Sequence, residues 1–129
     1  MSTSEATTRG VRVHVVSHYS EEHSRPREGH WFFTYTIEIT NEGEDTVQLL
    51  SRHWVITDAN GKVEEVRGPG VVGAQPVLPA GESFTYTSFC PLRTSFGTMH
   101  GTYQMIDERG GTFDATIAPF ALSTPYAVN

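Results

Sequence analysis

At 129 residues the sequence has room for one domain, burying about two-thirds of the surface its unfolded chain would expose, and none for a second. Nine Lys and Arg dispersed along a chain of net charge −6 form no basic run, so a nucleic-acid partner is excluded from the reading. A single cysteine rules out an internal disulfide, no apolar run approaches the ~18 residues of a membrane span, and MSTSEATTRG lacks the apolar core of a secretory signal. Together these point to a cytoplasmic chain with no membrane insertion.

Residues 1–10 are small and polar and read as a disordered lead-in to a single domain over residues 11–129. In VRVHVVSHY, Val11, Val13 and Val15 alternate with Arg12 and His14, the period of a half-buried strand with its valines inward. Ser20–Gly29 is polar, carries Pro26 and both charge signs, and reads as a solvated loop. Residues 30–40 hold the cleanest period-two pattern, with Trp31, Phe33, Tyr35, Ile37 and Ile39 on one face of a central strand. After a turn at residues 41–45, Thr46–Thr57 has apolar groups in both alternating sets and is expected to be covered on both faces. Asn60-Gly61 suits a two-residue hairpin, and Lys62–Val66 returns as a short, charged edge strand. Beyond the glycine-rich loop Gly68–Gly73 and a turn at Leu78–Glu82, three more alternating stretches follow. They are Ser83–Phe89 with Phe84 and Tyr86 inward, residues 98–106 with Met99, Tyr103 and Met105 inward, and Thr112–Phe120 with Phe113, Ala115 and Ile117 inward. The tail, residues 121–129, is expected to lie along an edge or fray.

Strands at this spacing, with no amphipathic segment of helical period, define an all-β fold: a two-sheet antiparallel sandwich of about seven strands, immunoglobulin-like in plan. Leu50, Trp54 and Ile56 complete the inward set. At roughly 1.5–3 kcal/mol for each fully buried large apolar side chain, such a core suffices without a disulfide. Tyr103 is expected to tie a corner through its hydroxyl.

The spacing Gly68-x-Gly70-x-x-Gly73 matches the glycine fingerprint of a dinucleotide site. That site requires a helix after the last glycine, and Pro76, Pro79 and Gly81 stand there instead. The preferred reading is a crossover between sheets that needs unusual backbone angles. The alternative is a nest of amides at Gly68, Gly70, Val71 and Gly73, beside Arg67, holding a nucleotide phosphate or pyrophosphate, or a loop binding a divalent ion. The six histidines show no ligand spacing, since His14 and His18 are ~13 Å apart along one strand; no metal site and no cofactor is expected. Cys90 has no thiolate-stabilising neighbour in sequence, and Ser88 lacks the strand-turn-helix setting of a hydrolase serine, so the chain is not expected to be an enzyme. What remains is a binding module with Arg52, Trp54, Val71 and Val72 as its protein interface. A partner protein, or a second copy in a homodimer, would cover it, with strand addition at an exposed edge as the natural mode.

Strings spread along the chain carry a resemblance: Phe33-Thr-Tyr-Thr-Ile37, Val47-Gln-Leu-Leu50, Arg52-His-Trp54, Gly70-Val-Val-Gly73 with Gln75-Pro76, Tyr86-Thr-Ser88, Gly97-Thr-Met99 and Gly101-x-Tyr103-x-Met105. In this order, over about residues 10–125, the sequence resembles the ApaG family. Phe89 and Ser95 depart from it, standing where the family usually has a glycine and a proline. The resemblance implies a fibronectin type III-like sandwich and a bacterial association with cobalt resistance and magnesium movement. It also implies a domain reused in eukaryotic F-box proteins and in a polymerase-interacting protein, which are contexts of binding. With no membrane span in the chain, the link to cobalt and magnesium efflux is expected to be indirect.

Overall fold

The computed structural model of the protein describes residues 1–125. Among these residues there are nine strands, one short 3-10 turn at Pro26–Glu28 and no α-helix, hence none long and apolar enough to cross a membrane. Alternation sorts the strands into two antiparallel sheets. The first, in spatial order, is β1 (Ser2–Thr8), β2 (Val11–Tyr19), β3 (Trp31–Asn41) and β7 (Ser83–Leu92). The second is β5 (Val63–Pro69), β4 (Val47–Asp58), β8 (Phe96–Asp107) and β9 (Thr112–Ser123), with the two-residue β6 (Val77–Leu78) beside β4. Their inner faces bury Val11, Val13, Val15, Phe33, Ile37 and Ile39 against Leu49, Trp54, Met99, Tyr103, Met105 and Ile117. The expected antiparallel sandwich is the fold that forms.

Several details differ from the sequence-based expectation, each for a local reason. Residues 2–8 are not a disordered lead-in but strand β1, paired along β2. Their small hydroxyls face β9: Ser4 Oγ donates to the Ala118 carbonyl (2.8 Å), while Thr8 Oγ1 and Ser2 Oγ accept from the Thr116 and Ala121 amides (3.0 and 2.9 Å). Leu49, not Leu50, is the inward leucine. A bulge between Leu49 and Ser51 adds one residue to β4 and shifts its alternation, which turns Arg52, Trp54 and Ile56 to the inner face. The connection at Asn60-Gly61 is three residues long, because the Asp58 carboxylate accepts the amides of Asn60 and Lys62 (both 2.9 Å) and Asp58 N–H donates to the Lys62 carbonyl. Tyr103 ties no corner; its hydroxyl is paired with that of Tyr86 across the two sheets.

A second bulge, at Ala118-Pro119 of β9, lies between the pairs Met99–Phe120 and Gly101–Ile117. It turns Phe120 and Leu122 inward and carries the strand past the end of the alternation expected over Thr112–Phe120. Ala121–Ser123 therefore belong to β9 and not to a tail, and residues 126–129 lie outside the described residues.

The two flanks of the sandwich are unlike. At one, β1 and β2 are sewn to β9 by hydroxyls, including buried Ser17, whose Oγ donates to the Ala121 carbonyl at 2.7 Å. At the other, β7 and β5 are the outermost strands of their sheets, and no strand pairs with either on its outer side among the described residues.

Candidate functional site

The open flank is a groove, and β7 is one wall of it. The backbone polarity of that wall follows from its last pair. Phe32, opposite Pro91, donates its N–H to Ser24 Oγ (2.9 Å) and accepts the Ser20 amide on its carbonyl (2.8 Å), both on the side away from β7. Phe32–Pro91 is therefore a non-hydrogen-bonded pair, and pairs alternate down an antiparallel ladder. By that alternation Ser83, Thr85, Thr87 and Phe89 turn their N–H and C=O groups away from β3, and Pro91 has its missing donor on the same side. Four successive donor–acceptor positions thus stand open along a strand without a single charged side chain.

The other wall is β5 with the glycine loop. Between the walls lies a cleft of about 310 Å³ lined by Trp54, Ile56, Val66, Ser88, Phe89 and Met99 among others. It continues into a smaller space of about 170 Å³ bounded by Tyr35, Tyr86, Val71 and Val72. Arg52 borders both. Its Nη1 donates to the carbonyls of Pro69 (2.9 Å) and Gly70 (2.8 Å), so the loop offers oxygen acceptors to a guanidinium. Gly68 makes room for this, since a Cβ there would stand 3.0 Å from Nη2. Arg52 has no salt-bridge partner among the described residues.

The loop closes on itself. Val71 and Ala74 exchange amide–carbonyl bonds of 2.8 and 2.9 Å around Val72 and Gly73, both at positive φ (42° and 80°), the geometry of a tight hairpin turn. Gly70, at φ 60°, donates to the Leu50 carbonyl at 2.9 Å, and a Cβ on it would collide with the Ala74 carbonyl. The glycines serve the turn.

The sequence-predicted sites regroup accordingly. Of the anion nest expected at Arg67, Gly68, Gly70, Val71 and Gly73, the amides of Gly70 and Val71 donate to the Leu50 and Ala74 carbonyls. Arg67 is exposed on β5, 3.7 Å from Glu65. Of the expected interface, Trp54 (3% exposed) and Val71 (1%) are core residues, Trp54 packing on Tyr35, Tyr103 and Phe120. Arg52 and Val72 (60% exposed) do line the open flank. Sequence reasoning missed β7 as the edge and Phe89 as its exposed aromatic, stacked on Phe32 with centroids 5.2 Å apart. The absence of charge from Ser83 to Leu92 was the available signal.

Burial keeps the thiol and the phenols at and beneath the groove in their neutral forms. Burial, with Glu64 adding to it, pushes the Cys90 thiol up to about 12. Burial likewise raises the Tyr35, Tyr86 and Tyr103 phenols, the last two well above the ordinary value. Neither a thiolate nor a phenolate nucleophile stands ready here.

A family profile for the ApaG domain matches residues 21–107, which include β3 to β8 and hence both walls of the groove. The chain is also 56% identical over 121 residues to the ApaG protein of Methylobacterium sp. (strain 4-46), covering 94% of this chain and 93% of that one. The chain belongs to the ApaG domain family. A second ApaG protein, from Anaeromyxobacter dehalogenans (strain 2CP-C), is 53% identical over 129 residues, the full length of both chains. A Bordetella pertussis protein solved by crystallography under the name ApaA superposes with a TM-score of 0.88 at 49% identity, over 91% of this chain and 95% of that one. The alignments cover nearly the full length of these relatives.

Proposed function

We propose that the protein is a non-enzymatic binding module that takes an extended segment of a protein partner as an added strand on β7. One observation carries the reading: the open backbone positions at Ser83, Thr85, Thr87 and Phe89 lie on an uncharged edge beside a cleft. Natural sheets guard such edges with charge, bulges or cover, because an unguarded one pairs with whatever strand it meets. Strand addition uses that property, with backbone bonds giving affinity and pockets for alternate side chains giving selectivity. A second copy of the chain could dock the same way, and oligomeric state distinguishes it from a foreign partner. On this reading the link to cobalt and magnesium runs through the partner. The compartment is read as the cytoplasm, in keeping with one unpaired cysteine.

The test is a photo-crosslinking residue at Thr85, used in living cells to trap the partner, followed by affinity measurement on the purified pair. Thr87→Pro removes one outward amide, and binding should fall at least tenfold. A partner that binds Thr87→Pro as well as it binds the unaltered chain contradicts the reading.

A further inference from the structure

Resting on that reading, we infer that the strand docked on β7 carries a carboxylate side chain, Asp or Glu, which pairs with Arg52 inside the groove.

Arg52 is an odd residue to find on an inner face. It reaches that face only because the β4 bulge shifts the alternation, and a long cation pointed into a sandwich costs desolvation unless paired. Two of its five N–H donors are used by the Pro69 and Gly70 carbonyls. Those two bonds hold the planar fork in place. The donors on Nη2 and Nε have no protein partner among the described residues, and no buried side-chain nitrogen lacks one, so these donors reach the open space. A fork held at one end and free at the other matches a carboxylate.

The position fits a strand. Residues added beside β7 alternate between the outer face and the groove, and the inner wall of β7 there is Tyr86, Ser88 and Cys90. An inward side chain opposite Ser88 meets Arg52, while its inward neighbour two residues on meets Trp54, Ile56 and Met99. The surroundings also select against more negative ligands. Glu64 lines the same cleft, and the whole chain carries −6. One cation facing that field suits a single carboxylate flanked by neutral or basic residues, whereas phosphate sites gather several cations.

The experiment uses a phage-displayed library of random dodecapeptides against the purified full chain. Selected peptides should alternate apolar and polar residues and hold Asp or Glu at one fixed inward position. Changing that residue to Asn or Gln should weaken binding to the unaltered chain about tenfold or more. The same change should cost nothing against Arg52→Met, and Arg52→Lys should recover part of the acidic preference. Peptides with no acidic position, or an equal loss against Arg52→Met, overturn this inference and leave strand addition standing. Selected peptides that bind Thr87→Pro undiminished overturn strand addition as well. Glutarate competing at the peptide's own affinity would mark a small-molecule site and overturn both, as would a library yielding no binders.

Discussion

The two flanks of this sandwich solve the same problem in opposite ways. Where β1 and β2 meet β9, the hydroxyls of Ser2, Ser4, Thr8 and Ser17 bond to the β9 backbone and fasten the two sheets together. Where β7 faces β5, the edges stay apart and the space between them is lined by an arginine and aromatic rings. Even the two open edges differ. β5 carries Glu64, Glu65 and Arg67 and ends in Gly68-Pro69, the charged guard expected of an edge that must not pair. β7 is longer and has no charge at all. One flank is fastened by hydroxyls and one edge is guarded by charge, while β7 is uncharged, and on the proposed reading that bare edge is where the partner segment docks.

This contrast can be attacked from several sides. Trp54 should behave as core although it borders the open flank: Trp54→Ala is expected to cost about 3–5 kcal/mol in chemical denaturation, and a cost under 1 would return it to the surface. On the sealed flank, Ser17→Ala leaves the Ala121 carbonyl without its buried donor and should cost about 1–2 kcal/mol by the same assay. At the bare edge, Thr87→Lys copies the guard found on β5. Its stability should stay within about 0.5 kcal/mol of the unaltered chain while partner binding is lost.

Stability should also depend on alkaline pH. The Cys90 thiol is raised from an ordinary 9.0 to about 12 in the folded chain, so unfolding releases a proton that folding retains once the pH exceeds about 9. Its contribution is complete below that pH and is lost as pH climbs toward about 12, with the buried tyrosines adding to the fall above 10. Cys90→Ala should flatten the part of the decline nearest pH 9. Iodoacetamide should leave folded Cys90 unmodified at pH 8 and label it in denaturant.

Much of the fold was legible because period-two alternation is a direct consequence of strand geometry. Val11–Val15, Phe33–Ile39 and Met99–Met105 announce their inner faces. The errors sit where alternation breaks. The bulges at Leu50 and at Ala118-Pro119 shift parity by one residue, and nothing in the composition of β4 marks where the extra residue enters. Residues 2–8 mislead because serine and threonine look alike in a disordered segment and in a strand that bonds through its hydroxyls. The groove was half legible. Arg52 and Val72 were named from the sequence, but that Arg52 points inward depends on the bulge, and that β7 is an edge depends on which strands pair, a long-range fact.

Amide hydrogen exchange along β7, read residue by residue by NMR, tests the central claim most directly. In the free chain Ser83, Thr85, Thr87 and Phe89 should exchange fast while Phe84, Tyr86, Ser88 and Cys90 are protected, and a saturating partner segment should slow the first four. A bound chain in which those four amides still exchange at their free rate would contradict the account.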